Sequence, residues 1–417
     1  MDHRLVVRAV TTYGDTISPA IFPQALVMTS TARRTDTMSP GLIAVFAFAC
    51  GAMVANLYYS QALIGLIAPA IGLPPRLAGF TVTLTQLGYG AGLLFVVSLA
   101  DLVENRRLAL TMLGGVVVSL VGVATSTSAA TFLSFSFLTG FCCVGAQILV
   151  PFAAHLATDE TRGRVVGNIM GGLVTGIMLA RPAASFLAAS LGWRAIFWVS
   201  AAGMVALWVL LMRMLPERRP RTDMHYGQVL VSSMKLLFTQ PVIRRRAAYQ
   251  AAMFAAFNLF WTGAPLFLAQ RFGLGQRGIA LFALAGAGGA LAAPIAGRLA
   301  DRGYIRAGTT GALIAAVVAF MVSGWSGAAG ALVLLAAGAI LLDAATQFNQ
   351  VVSQRVIYAI APEARGRITS VYMTAVFLGG ATGSFLAPAT LIRGGWTALS
   401  VTGGAIVAAA FLLFLTE

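Results

Sequence analysis

Charged side chains are scarce in this 417-residue chain, at 10% of the composition, and acidic ones are scarcer still, with 13 Asp and Glu in all. A soluble domain carries roughly 25% charge, and its surface has to stay largely free of apolar patches. A soluble enzyme, a nucleic-acid binder and a disordered chain are therefore excluded. Cysteine is limited to Cys50, Cys142 and Cys143, each inside an apolar run, and there are three histidines. No His, Cys and carboxylate residues fall at metal-ligand spacing. The phosphate-cradling glycine loop is missing, which removes ATP as an energy source, and so is any serine nucleophile motif. Neither an enzyme nor a bound cofactor is expected. Residues 1–40 carry Arg4, Arg8, Arg33 and Arg34 without a compact apolar core and cleavage site, and read as a flexible cytoplasmic tail.

What the chain does have is apolar length. Hydrophobic residues make up 59%, and the mean hydropathy is +0.86. A helix needs about 20 mostly apolar residues to cross a bilayer. Twelve such runs occur, near 41–70, 77–100, 108–126, 130–156, 166–190, 194–214, 246–270, 278–300, 308–324, 329–359, 368–391 and 396–415. Membrane strands would alternate over ~10 residues, so the expected fold class is an all-α membrane protein with twelve transmembrane helices. The 45 glycines suit helices that approach closely, as at Gly88-x-Gly90-x-Gly92 and Gly286-x-Gly288-Gly289.

Twelve spans leave both termini on one side. Of the 28 basic residues, 21 fall in the tail, the central loop and the loops after spans 2, 4, 8 and 10. Five (Arg76, Arg194, Arg271, Arg277 and Arg393) fall on the opposite face, and Arg181 and Arg355 lie within spans. Lys and Arg collect on the cytoplasmic side, so both termini are expected in the cytoplasm, across a bacterial inner membrane. The same bias explains the net charge of +15 without nucleic acid as a partner.

The chain also repeats itself. Asn56-Leu-Tyr-Tyr-Ser-Gln-Ala-Leu63 resembles Asn258-Leu-Phe-Trp-Thr-Gly-Ala-Pro265 at an offset of 202. Leu99-Ala-Asp101 with Arg106 pairs with Leu299-Ala-Asp301 and Arg306 at 200. Glu160-Thr-Arg-Gly-Arg164 pairs with Glu363-Ala-Arg-Gly-Arg367, and Gly192-Trp193 with Gly395-Trp396, both at 203. Ordered matches at near-constant spacing indicate duplication. The expected organisation is two parallel six-helix repeats: a bundle over 41–214, a cytoplasmic linker over 215–245 with an amphipathic stretch near 226–238, and a bundle over 246–417. Such bundles can rock about a site between them.

These features resemble the major facilitator superfamily over nearly the whole chain. Its loop signature, roughly G-x-L-x-D-R-x-G-R-R, is matched in the second half by Gly297, Leu299, Asp301, Arg302 and Arg306. The first half keeps Asp101 and Arg106, but Val97, Leu102 and Glu104 depart from it. The resemblance implies a cytoplasmic salt-bridge gate from Asp101, Arg106, Arg162, Arg164, Asp301, Arg302, Arg306, Arg365 and Arg367, which Arg355 would join. A second signature, associated with proton antiporters, is met on span 5 by Gly167 and Gly176, with small residues at Ala180, Ala184 and Ser185. Arg181 stands where proline is usual.

Charge at membrane depth costs at least ~2.5–3.5 kcal/mol and survives facing a cavity or a partner. Asp343, Gln347, Gln350 and Gln354 recur at i, i+4, i+7 and i+11, on one face of span 10. Lipid would leave those amides unsatisfied, so the face lines either a substrate path or a buried hydrogen-bonded seam. Asp343 is a candidate proton-exchanging carboxylate, or else an ion-pair partner of Arg181. The resemblance further implies that spans 1, 4, 7 and 10 enclose the cavity, which brings in Asn56, Tyr59, Gln250, Asn258 and Trp261 beside Arg181. The expected function is alternating-access export of a small organic solute in exchange for protons, by a monomer in contact with membrane lipid. The alternative is symport or facilitated uptake, with Arg181 reading an anion.

Overall fold

The computed structural model describes residues 38–100, 102–219, 225–360 and 364–417. Asp101 and the tail up to residue 37 lie outside these described residues. In chain order the helices are α1 (Pro40–Ala55), α2 (Tyr59–Ala62), α3 (Ile64–Ala70), α4 (Phe80–Leu99), α5 (Asn105–Thr125), α6 (Ala129–Cys143), α7 (Gly145–Leu156) and α8 (Arg162–Leu191). They continue with α9 (Arg194–Met214), α10 (Tyr226–Thr239), α11 (Pro241–Phe272), α12 (Gln276–Gly286), α13 (Ala292–Asp301), α14 (Ile305–Ala329), α15 (Leu332–Ile360) and α16 (Arg365–Leu415). Short 3-10 turns lie at Pro75–Leu77 and Ala287–Leu291.

Local chemistry sets the helix ends. Ser39 caps α1 by accepting from the Leu42 amide at 3.2 Å, with Pro40 at the first turn. Glu104, one of the departures from the loop signature, caps α5. Its carboxylate accepts from the amides of Arg106 and Arg107, each at 2.8 Å, and of Arg218 at 3.2 Å. Burial alone would push that carboxyl up; the three amides and the Arg107 charge outweigh it and hold it below the ordinary carboxylate value. Gly192 and Gly395, paired by sequence, take φ of 80° and 63° with ψ near extended, a region open to glycine alone. Each sets the following tryptophan, Trp193 or Trp396, into the core.

Ten helical stretches among the described residues are long and apolar enough to cross a bilayer, against the twelve expected. Two places account for the difference. The first run is broken: α1 stops after 16 residues, and the chain continues as α2 and α3. The last two runs join in α16, whose dihedrals leave the helical region only at Gly394 and Gly395. Large apolar side chains stay exposed along these helices, including Phe48, Trp325, Met321 and Val333. Lipid is the solvent that tolerates such a belt.

The buried apolar residues form two main clusters. One takes its residues from 46–215 together with Phe377; the other lies within 249–414. Helices approach closely where glycine permits it. A Cβ on Gly172 or Gly176 of α8 would lie 2.5 Å from the carbonyl oxygen of Ala47 or 2.2 Å from that of Gly51, both on α1. Gly167, in the antiporter-like signature, has nothing within 4 Å. Between α4 and α16 the hydrogen bonds run from hydroxyl to carbonyl, Thr83 to Ala381 at 3.2 Å, Thr374 to Gly90 at 3.2 Å and Ser370 to Leu93 at 2.6 Å, beside the ring pairs Phe80–Phe385 and Tyr89–Phe377. The amphipathic stretch in the linker is α10. It buries Val229 and Ser233 while Val231 and Phe238 stay exposed.

Candidate functional site

The break after α1 determines which polar residues face the centre. Asn56 donates its side-chain amide to the carbonyls of Ala52 at 2.9 Å and Met53 at 3.1 Å, and accepts from Ser200 of α9 at 2.6 Å. Those carbonyls are the ones a continuing helix would offer to its own N–H groups, so the side chain competes with the ladder. Three successive amides, of Asn56, Leu57 and Tyr58, bond to i−3 carbonyls instead. Three residues per turn rather than 3.6 rotates everything downstream by roughly 60° over three residues. Asn56 is held by Ser200 of α9, and downstream of it Tyr59 comes to pack edge-on to Phe197 of the same helix while Gln61 turns inward.

Gln61 is fully buried and is the hub of a polar cluster. Its amide nitrogen lies 3.2 Å from Asn258 Oδ1 and 3.2 Å from Thr262 Oγ1, both on α11. Its Oε1 accepts from Arg181 Nε of α8 at 2.9 Å. Gln86 of α4 donates to the same Asn258 oxygen at 3.3 Å, and Thr262 lies 3.2 Å from the Ser384 hydroxyl of α16. The cluster thus draws on five helices.

Trp261 connects this cluster to Asp343. Its indole Nε1 donates to Asp343 Oδ1 at 2.7 Å, while its ring lies 4.5 Å beneath the Arg181 guanidinium. Tyr58 and Phe257 complete an aromatic cage around that guanidinium at 5.2 and 5.0 Å. Arg181 and Asp343 are 4% and 8% exposed and lie within electrostatic reach of each other. Their ion-pair reading takes a different form here: among the described residues no carboxylate oxygen is within 4.0 Å of an Arg181 nitrogen, and Trp261 contacts both. The glycines of the α12–α13 region make room for this arrangement. A Cβ on Gly286 would lie 2.4 Å from the Trp261 ring, and one on Gly289 would lie 2.5 Å from the Asp343 Cβ.

Further along α15 the stripe meets α11 and α16. Asn349 donates to Gln250 Oε1 at 2.7 Å, and Gln250 donates to the Thr346 carbonyl at 3.4 Å. Gln350 contacts Met373 Sδ at 3.3 Å and accepts from Tyr372 at 3.4 Å. Gln347 and Gln354 are half-buried. Of the stripe, Asp343 and Gln350 thus contact neighbouring helices, and Asn349, one position off it, bonds to Gln250.

The gate residues are spread out. Asp301 and Arg355 form an exposed ion pair at 3.2 Å. Arg162 pairs locally with Asp159 at 2.8 Å, and Arg106 donates to the Met212 carbonyl. Arg306 lies 6.0 Å from the Phe414 ring, and Arg164 and Arg302 are exposed. Arg365 and Arg367 line a cavity of about 340 Å³ with Gln147, His155 and Arg218, and Arg367 also donates to Ser232 of α10 at 3.0 Å.

Comparison with known proteins adds a lineage to this geometry. A family model described as Major Facilitator Superfamily matches residues 41–341 and 280–417. The "Uncharacterized transporter YgaY" of Escherichia coli O157:H7 is 40% identical over 374 residues, spanning 88% of this chain and 93% of that protein. A "Chloramphenicol resistance protein" of Pseudomonas aeruginosa is 30% identical over 230 residues, covering 51% of this chain and 52% of the other. The crystal structure of a D-xylose-proton symporter superposes with a TM-score of 0.73 at 17% identity, covering 90% of this chain and 97% of that one. At that identity the likeness concerns the fold.

Proposed function

The chain belongs to the major facilitator superfamily of membrane transporters, which are not enzymes, and from that premise we propose that it exports a small organic solute in exchange for protons. In this reading residues 41–214 and 246–417 are two parallel six-helix bundles. With the broken α1–α3 run taken as one span and α16 divided at Gly394–Gly395, the apolar runs make twelve spans. Both termini face the cytoplasm of a bacterial inner membrane, in keeping with the distribution of Lys and Arg, and the working unit is a monomer.

One observation carries the proposal: a buried carboxylate, Asp343, and a buried cation, Arg181, approach Trp261 from opposite bundles. Charge at this depth is costly and marks ion or substrate pathways. Asp343 is the proton-exchanging group, since it is the acidic residue of the central cluster and hydrogen-bonds a residue that also touches Arg181. Gln61, Gln86, Asn258, Thr262 and Gln250 supply the polar lining when the bundles part. Asp301 and Arg355, with Arg365 and Arg367 at the cavity, act at the cytoplasmic gate. Export rather than uptake is favoured by the partial likeness to a resistance protein. The second reading, uptake, is favoured by Arg181, a cation suited to gathering an anionic solute.

The test is a ligand-stabilisation screen on purified protein, followed by flux of each hit into proteoliposomes under an imposed pH gradient. Exchange predicts accumulation when the interior is acid, and symport predicts accumulation when the exterior is acid. Asp343→Asn should abolish dependence on the gradient. Transport by that variant with unchanged gradient dependence refutes the proton-coupling role.

A further inference from the structure

We infer that the cargo is a small organic anion with a flat apolar body, and that Arg181 is the residue that reads its charge. The inference rests on the solute transport proposed above, in either direction, and names its substrate class.

Arg181 is 4% exposed yet has one side-chain hydrogen bond, through Nε to Gln61. Its Nη2 is buried without a hydrogen-bond partner. Buried charges are ordinarily paired and fully hydrogen-bonded. Here three ring faces supply cation–π attraction in place of a directly contacting counterion, Asp343 reaching the guanidinium only across Trp261. Rings screen the faces of a guanidinium but leave its donor edge without acceptors. That edge is built to take a carboxylate or a similar oxyanion through two parallel hydrogen bonds.

Asp343 does not fill this role. Its Oδ1 takes the Trp261 indole N–H, and the indole touches both charged groups. The cage is also divided between the bundles. Tyr58 and Arg181 come from the first, Phe257 and Trp261 from the second. In the closed arrangement the second bundle's rings cover the guanidinium. When the bundles part, those rings withdraw and the donor edge is uncovered with Tyr58 beside it. An entering anion then meets one free guanidinium fork and flat aromatic walls, which suits a planar body with an acidic group. A cationic solute would be repelled by the same residue.

The test uses the wild-type protein in detergent and isothermal titration with matched pairs: benzoate and benzamide, phenylacetate and phenylacetamide, indole-3-acetate and indole-3-acetamide. At least one acid should bind tenfold or more tightly than its amide. Arg181→Gln should erase that preference, and Arg181→Lys should keep part of it. Tyr58→Leu, which removes the ring that stays beside the guanidinium, should weaken acid and amide alike. If no acid binds, if the amides bind equally well, or if folded Arg181→Gln keeps the preference, the inference is overturned. Should Arg181→Gln fail to fold, the wild-type pairs decide. The two readings fail separately. Acid-selective binding without proton-driven flux removes the coupling and leaves the anion site. Proton-driven, Asp343-dependent flux of solutes with no preference for anions removes the anion site and leaves the coupling.

Discussion

Adjacent glycines on α8 offer a controlled perturbation. A Cβ on Gly172 would lie 2.5 Å from the carbonyl oxygen of Ala47 and 2.7 Å from its carbonyl carbon, whereas one on Gly171 meets nothing within 4 Å. The obstacle at Gly172 is backbone and cannot rotate aside, so α1 and α8 must separate by several tenths of an ångström. Overpacking of this kind costs about 1–3 kcal/mol. The intrinsic preference of a helix for alanine returns up to ~1 kcal/mol in both variants. Because that gain is common to both, Gly172→Ala should be destabilised by about 1–3 kcal/mol relative to Gly171→Ala, which should match or exceed wild type. Separation would also draw Arg181, nine residues further along α8, away from Gln61, so binding should weaken with stability. Thermal unfolding of the purified variants, followed by intrinsic fluorescence, compares them directly. Equal unfolding temperatures for the two would refute the close approach and the account of how Arg181 is positioned.

Three further outcomes are expected. Trp261→Phe keeps a ring over Arg181 and removes the donor to Asp343, so the unfolding temperature should fall by an amount equivalent to about 1–3 kcal/mol; no change would mean the 2.7 Å bond carries little. Glu104→Gln should cost about 0.5 kcal/mol at neutral pH. Because the folded-state value of Glu104 lies below the ordinary one, its contribution is present at neutral pH and is lost as pH falls through that value. The difference between variant and wild type should thus shrink on acidification, and a gap that widens would contradict the capping role. Arg355→Gln breaks an ion pair whose side chains are 61% and 67% exposed, so its unfolding temperature should stay within error of wild type; a marked drop would show that the pair supports the fold.

Much of this architecture could be read from the residues because bilayer thickness dictates helix length. The charge at Asp343 was legible for the same reason, as the one acidic residue in a 29-residue apolar helix. The face of α11 was legible too, since an unbroken helix keeps Asn258 and Trp261 in phase. Gln61 was not. The repeat aligns Asn56 with Asn258 and Tyr59 with Trp261, which holds only if both helices keep 3.6 residues per turn. The rotation that displaces them depends on Asn56 being held by Ser200, 144 residues away, and no local pattern encodes that contact. Glycine spacing has the same limit: Gly167 and Gly176 look equivalent in sequence, but only Gly176 faces α1. The unsatisfied Nη2 of Arg181 is likewise tertiary in origin, because its cage is assembled from distant segments.

The hydroxyls between α4 and α16 have a mechanical consequence. Thr83 reaches Ala381 across the interface and also the Gly79 carbonyl of its own helix at 3.0 Å. Thr374 likewise shares itself between Gly90 and its own Ser370 carbonyl at 2.8 Å. If the two helices drift apart, each threonine falls back on an acceptor it already holds, and of the three hydroxyls Ser370 alone gives up its bond, to the Leu93 carbonyl. These threonine contacts can unfasten and refasten at small enthalpic cost, like a hook with a second eye, whereas the glycine contacts of α8 with α1 offer no such fallback.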